Sequence, residues 1–139
     1  MISENFSWTG SIHLKHDSTV YDLHNDYDFI KFSYDVEKRL IVLEWRKGKY
    51  DWVKSELPKT LLLSLFNVEH FGFQPRSSER SFNEDDCLSS FGYLSDDEWC
   101  EGQFWVDGDP DDSWHWSLEF ESGAELIVSA ESAFVKVEP

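Results

Sequence analysis

A chain of 139 residues, 40% hydrophobic and 17% aromatic, suits one ordinary domain with a buried core, which excludes a wholly disordered protein. Its net charge of −16 is lopsided: residues 1–80 hold 12 acids and 11 bases, whereas residues 81–139 hold 16 acids and one base, Lys136. With no Lys or Arg from Ser81 to Val135, the composition argues against direct binding to nucleic acid or to anionic lipid, both of which need cations. It favours a basic partner instead, because charge of one sign speeds association with the other.

The first 28 residues have no clear period, except that "SIHLKH" alternates and predicts a short strand. From Asp28 the pattern sharpens. Phe29 or Ile30, Phe32 and Tyr34 take alternating faces, and Ile41, Leu43 and Trp45 lie opposite Leu40, Val42 and Glu44. With a turn-like "DVEK" between them, Phe29 to Trp45 reads as a β-hairpin, and "RKGKYD" as the next turn. The apolar run "TLLLSLFNVEHFGFQPR" has the length and alternation of strands, closed by Pro75. In "NEDDCLSSFGYL", Asn83 can cap a helix, acids fill its first turn, and Cys87, Leu88 and Phe91 make a short apolar stripe ending at Gly92. That spacing predicts one helix of two to three turns. "GQFWVDG" reads as a strand. Trp114 to Val128 reads as a hairpin, with Trp114, Trp116, Leu118 and Phe120 on one face. The expected fold is mostly β (α+β): a single domain, 1–139, of antiparallel hairpins packed as a curved sheet or sandwich with one short helix.

Cys87 and Cys100 are 13 apart, which is neither a metal spacing nor a disulfide framework. The opening "MISENFSWTG" lacks the basic and apolar regions of a signal peptide, and no apolar run approaches a membrane span. A reducing cytoplasm with both thiols free is the expectation. No nucleophile elbow, phosphate loop, dinucleotide turn or H-E-x-x-H is present, so the chain is read as a non-enzyme without a cofactor. His13 and His16, with Asp17 beside them and His24 further on, are read as isolated surface histidines. Residues three apart on a strand face opposite sides, and the cysteines are distant in sequence.

"WVDGDPDDSWHW" is the densest candidate site. Asp107, Asp109 and Asp111 follow the opening of a calcium loop, but position six is Asp112 rather than Gly, position twelve is Leu118, and Pro110 stiffens the turn. Between Glu84 and Asp112 there are 11 acids and no base, interleaved with Phe91, Tyr93, Trp99, Phe104 and Trp105. Aromatics anchor interfaces and charges choose the partner. Phe91 and Phe104 are expected inside and Trp99 outside. Asp96, Asp97, Glu98, Asp107, Asp109, Asp111 and Asp112 are expected to face a basic protein, with Trp99 as anchor.

The tail "WSLEFESGAELIVSAESAFV" resembles the strand–turn–strand ending of small immunity proteins from bacterial polymorphic-toxin systems, several of which carry "EF-x-x-G-x-x-I" before a closing strand. "NEDDCLSSFGYLS" is similar to the acidic connector of such proteins. The resemblance implies stoichiometric inhibition of a cognate toxin domain in the cytosol. The charge suits a nuclease, whose substrate cleft is basic. A calcium- or carbohydrate-binding β module, and a DNA mimic directed at a DNA-binding protein, are the alternatives.

Overall fold

The computed structural model describes residues 1–80, 84–95 and 102–139. Among the described residues, ten strands appear in chain order: β1 Ile2–Ser3, β2 Phe6–Trp8, β3 His13–His16, β4 Thr19–Asp22, β5 Tyr27–Asp35, β6 Leu40–Lys47, β7 Thr60–Gln74, β8 Leu88–Leu94, β9 His115–Phe120 and β10 Glu125–Glu138. The larger sheet runs β5-β6-β7-β10-β9-β8 and curls into a half-barrel, with β1 alongside β10. A small sheet, β2-β3-β4, lies over it. The fold is mostly antiparallel β, as the alternation predicts; β1 and β10 form a parallel pair. The hairpins 29–45 and 114–128 both form, in the registers Leu43↔Phe32 and Leu118↔Leu126.

Alternation sets the core. Ile41, Leu43 and Trp45 of β6, Leu61, Leu63 and Leu65 of β7, and Leu126 and Val128 of β10 are all buried, because every second side chain points into the half-barrel. Phe6, Leu14 and Tyr21 of the small sheet join the same cluster, so the two sheets share one core.

The expected helix at 83–92 does not form over the described residues. After a turn at 84–86, Leu88–Leu94 becomes strand β8, paired with β9. Leu88 pairs with Phe120 and Phe91 with Leu118, so both point inward although they are three residues apart. A β-bulge between Leu88 and Ser90 absorbs the extra residue. Phe29 and Phe32 repeat the device: the bulge between Phe29 and Lys31 leaves Ile30 outside, and both phenylalanines pack on the core. "GQFWVDG" is not a strand either. It makes a single bridge, Tyr93↔Phe104.

Glu119 and Glu125 oppose each other across β9 and β10. Burial chiefly, and then the neighbouring Glu125, push the Glu119 carboxyl above the usual range. A carboxyl raised in the folded state adds stability below its ordinary value of 4.5 and loses it as pH rises through the folded value. At neutral pH the pair is therefore a source of repulsion. Glu119→Gln is expected to raise stability at pH 7 by about 0.2–1 kcal/mol, with the gain vanishing at pH 4, as thermal melts at the two pH values would show.

Candidate functional site

The loop from Gly102 to Trp114 runs between β8 and β9 and is built on aromatic rings. Phe104 exchanges two backbone hydrogen bonds with Tyr93 on the outer edge of β8, at 2.8 and 2.9 Å. Gln103 Nε2 donates to Ser117 Oγ at 3.2 Å. Trp114 packs edge-on to Phe104 with ring centroids 4.9 Å apart, and Trp105 stands 6.1 Å from Tyr93 and 6.2 Å from Phe91. Phe91 is fully buried as expected, whereas Phe104 is half-buried.

This docking needs Gly92. A Cβ there would lie 2.9 Å from the Phe104 carbonyl oxygen and 3.0 Å from the Gln103 side chain. Gly92 is thus a site of close backbone approach rather than a helix stop. Gly92→Ala is expected to cost about 1–3 kcal/mol through overpacking, read by urea denaturation, and to expose Trp105, read by its fluorescence.

The rings turn in and the acids turn out. Asp107, Asp109, Asp111 and Asp112 are all exposed, the Asp112 side chain at 88%. No Lys or Arg side chain among the described residues pairs with them. Trp105, 37% exposed, donates its indole N–H to Asp107 at 3.4 Å. The Asp111 carboxylate accepts from the Ser113 backbone at 2.9 Å and from its hydroxyl at 2.7 Å, and these bonds hold the Asp111 carboxyl below the usual range. The Met1 amino group donates to the Asp112 carbonyl at 3.2 Å. Other acids of the same half are engaged internally: Asp85 with Arg76 at 2.8 Å, Glu131 with Asn67 at 2.7 Å, Glu138 with Lys136 at 3.4 Å. The loop therefore concentrates carboxylates that no lysine or arginine among the described residues neutralises; the internal cation beside them is the Met1 amino group, 3.9 Å from the Asp112 carboxylate. Among the described residues its aspartates do not converge as a metal-ligand group, which weighs against a calcium loop. Asp96, Asp97, Glu98 and Trp99 lie outside the described residues.

Three further features were not legible in the sequence. An open groove of about 570 Å³ lies at the mouth of the half-barrel, lined by Phe29, Phe32, Phe73 and Phe120 with the Arg76–Asp85 pair at its rim. Tyr50 and Trp52 stack in parallel, centroids 4.6 Å apart, with Trp52 64% exposed. His24, Cys87 and Glu121, far apart in the chain, come together where the β4–β5 turn meets the end of the β8–β9 ladder. Burial first, then the carboxylates of Glu121, Asp86, Asp28 and Glu84, push the Cys87 thiol up to about 11. It is protonated at neutral pH, the opposite of what a nucleophilic cysteine needs.

Among the described residues, no helix is long and apolar enough to cross a membrane. Comparison of the chain with protein-family models, with curated proteins and with solved structures finds no match.

Proposed function

We propose that the chain is an inhibitory binding protein of the immunity type, which captures a basic cognate toxin domain, a nuclease by charge logic, with its acidic loop. The observation that carries this reading is the loop itself: four exposed aspartates with no Lys or Arg counter-ion among the described residues, standing on a packed aromatic base. Binding by such a surface has two parts. Long-range attraction brings a cationic cleft into register, and the carboxylates then occupy positions that phosphates would take. Trp105 is the described aromatic at the rim; Asp96, Asp97, Glu98 and Trp99 belong to the same proposal from sequence alone. A cytoplasmic location follows from the reading.

Affinity capture with the full chain from its native host tests it, followed by co-expression with the captured protein. A strongly basic partner whose toxicity disappears on co-expression supports the proposal. A partner with an acidic surface, or one whose activity is unaffected by a stoichiometric amount of this protein, contradicts it. A DNA mimic uses the same electrostatics and is separated by the partner's own ligand, duplex DNA.

The second reading, a ligand-binding β module, is favoured by the groove, whose volume lies in the range of small-molecule sites and whose lining is aromatic. Calorimetry with simple sugars distinguishes it: heat that is lost in Phe73→Ala supports the module.

A further inference from the structure

We propose that His24, Cys87 and Glu121 form a binding site for a divalent zinc ion, independent of the acidic loop. The three donor atoms lie within 4.8 Å of one another, and among the described residues this is the one such group of three.

The fold makes the site from both sheets. Cys87 immediately precedes β8 and Glu121 immediately follows β9, so they flank the end of one ladder, where the Glu121 N–H donates to the Cys87 carbonyl at 2.9 Å. His24 comes from the turn that leaves the small sheet. That turn is fixed by Asp22, whose carboxylate accepts from the backbone of His24 at 3.0 Å, from the backbone of Asn25 at 2.8 Å and from the Asn25 side chain at 2.8 Å. The three side chains are all half-buried, so the cluster is both shielded and reachable.

The spacing suits zinc. A tetrahedral ion with ordinary Zn–S and Zn–N bonds holds sulfur and nitrogen about 3.5 Å apart, and two light donors about 3.3 Å apart. Cys87 Sγ lies 3.4 Å from His24 Nδ1, and Glu121 Oε1 lies 3.9 Å from the same nitrogen. Only the glutamate, a long side chain at a strand end, has to close in. One sulfur, one imidazole nitrogen and one carboxylate oxygen form the donor set of a borderline-soft ion, whereas calcium and magnesium require oxygen. Three protein ligands leave the fourth position to water.

The surroundings want a cation. Glu121, Asp86, Asp28 and Glu84 all act on the Cys87 sulfur with negative charge. A bound ion reverses that: the thiol proton leaves to solvent and the sulfur lone pair goes to the metal. His24 Nδ1 sits 2.6 Å from the Leu88 carbonyl, to which it donates in its Nδ1–H tautomer. Coordination through Nδ1 requires the other tautomer, with the proton on Nε2, and replaces this hydrogen bond. The ion then ties the small sheet to the half-barrel.

The test uses the full chain with Zn²⁺ or Co²⁺ alone. One ion per chain is expected. Co²⁺ is expected to give a thiolate-to-cobalt charge-transfer band that is absent in Cys87→Ser and His24→Gln, retained in Cys100→Ser, and at least about tenfold weaker in apparent affinity in Glu121→Gln. Zn²⁺ is expected to raise the melting temperature of the native chain and to slow alkylation of its Cys87, followed by mass spectrometry, at least about tenfold. The alkylation measurement needs no variant, so it holds even if Cys87→Ser fails to fold. No band in the native chain, a band that survives Cys87→Ser, or an alkylation rate unchanged by Zn²⁺ would overturn the site.

Discussion

Phe91→Ala is expected to destabilise the protein by about 3–5 kcal/mol, the largest loss from any single change considered for this chain. Phe91 is fully buried in β8, and its ring is the hub on which three parts of the molecule meet. It stacks on Trp8 of the small sheet with centroids 3.9 Å apart, meets Trp116 of β9 edge-on at 5.3 Å, and touches Trp105 of the acidic loop at 6.2 Å. Its backbone N–H is also taken by the Ser11 carbonyl, which seals part of the edge of β8. Removing the ring leaves a cavity walled by rigid indoles that cannot collapse into it. Domains of this size have about 5–15 kcal/mol to lose, so the variant is expected to stand near its unfolding threshold. Phe66→Ala provides the contrast, because Phe66 is exposed on β7 and its loss is expected to cost within about 0.5 kcal/mol. Urea denaturation of both variants measures the difference. Equal losses would mean that the two sheets do not share a core through Phe91.

The second large effect is on binding. Replacing Asp107, Asp109, Asp111 and Asp112 together by asparagine is expected to weaken capture of a basic partner by at least about tenfold, while the melting temperature stays within a few degrees. Asparagine is the right substitute, because its side-chain oxygen can still accept the Ser113 bonds that now hold Asp111. The loop then keeps its shape and loses only charge. Its aromatic base, Tyr93, Phe104 and Trp114, is untouched. Titration calorimetry against the captured partner gives the affinity, and circular dichroism melts give the stability.

The sequence made the two long hairpins readable because most of their side chains alternate, as Ile41, Leu43 and Trp45 do, and the bulge between Phe29 and Lys31 disturbs only the start of the first. Where a bulge intervenes, alternation slips. Leu88 and Phe91 are three apart and share a face, which is the spacing of a helix, and acids before them look like a helix start. The strand wins because Phe91 can pair with Leu118 and bury its ring against Trp8 and Trp116, contacts from distant parts of the chain. Gly92 misled for the same reason: the need for a glycine comes from the Phe104 carbonyl that approaches it, not from its own segment. The acidic loop was legible as composition but not as shape. "GQFWVDG" has a strand's residues, yet Gly102 and Gly108 adopt positive φ, at 80° and 100°, and the rings dock on β8 instead of extending a ladder. The grouping of His24 with Cys87 and Glu121 had no local signal at all, since 63 residues separate the first two.

The measurement closest to the central claim is the rate of association between this protein and its captured partner as ionic strength rises, for the native chain and for the variant with asparagine at 107, 109, 111 and 112. The native rate is expected to fall steeply with salt. The variant is expected to start about ten- to a thousandfold slower at low salt and to depend on it far less. Two curves that coincide across the salt range would contradict the assignment of this loop as the docking surface.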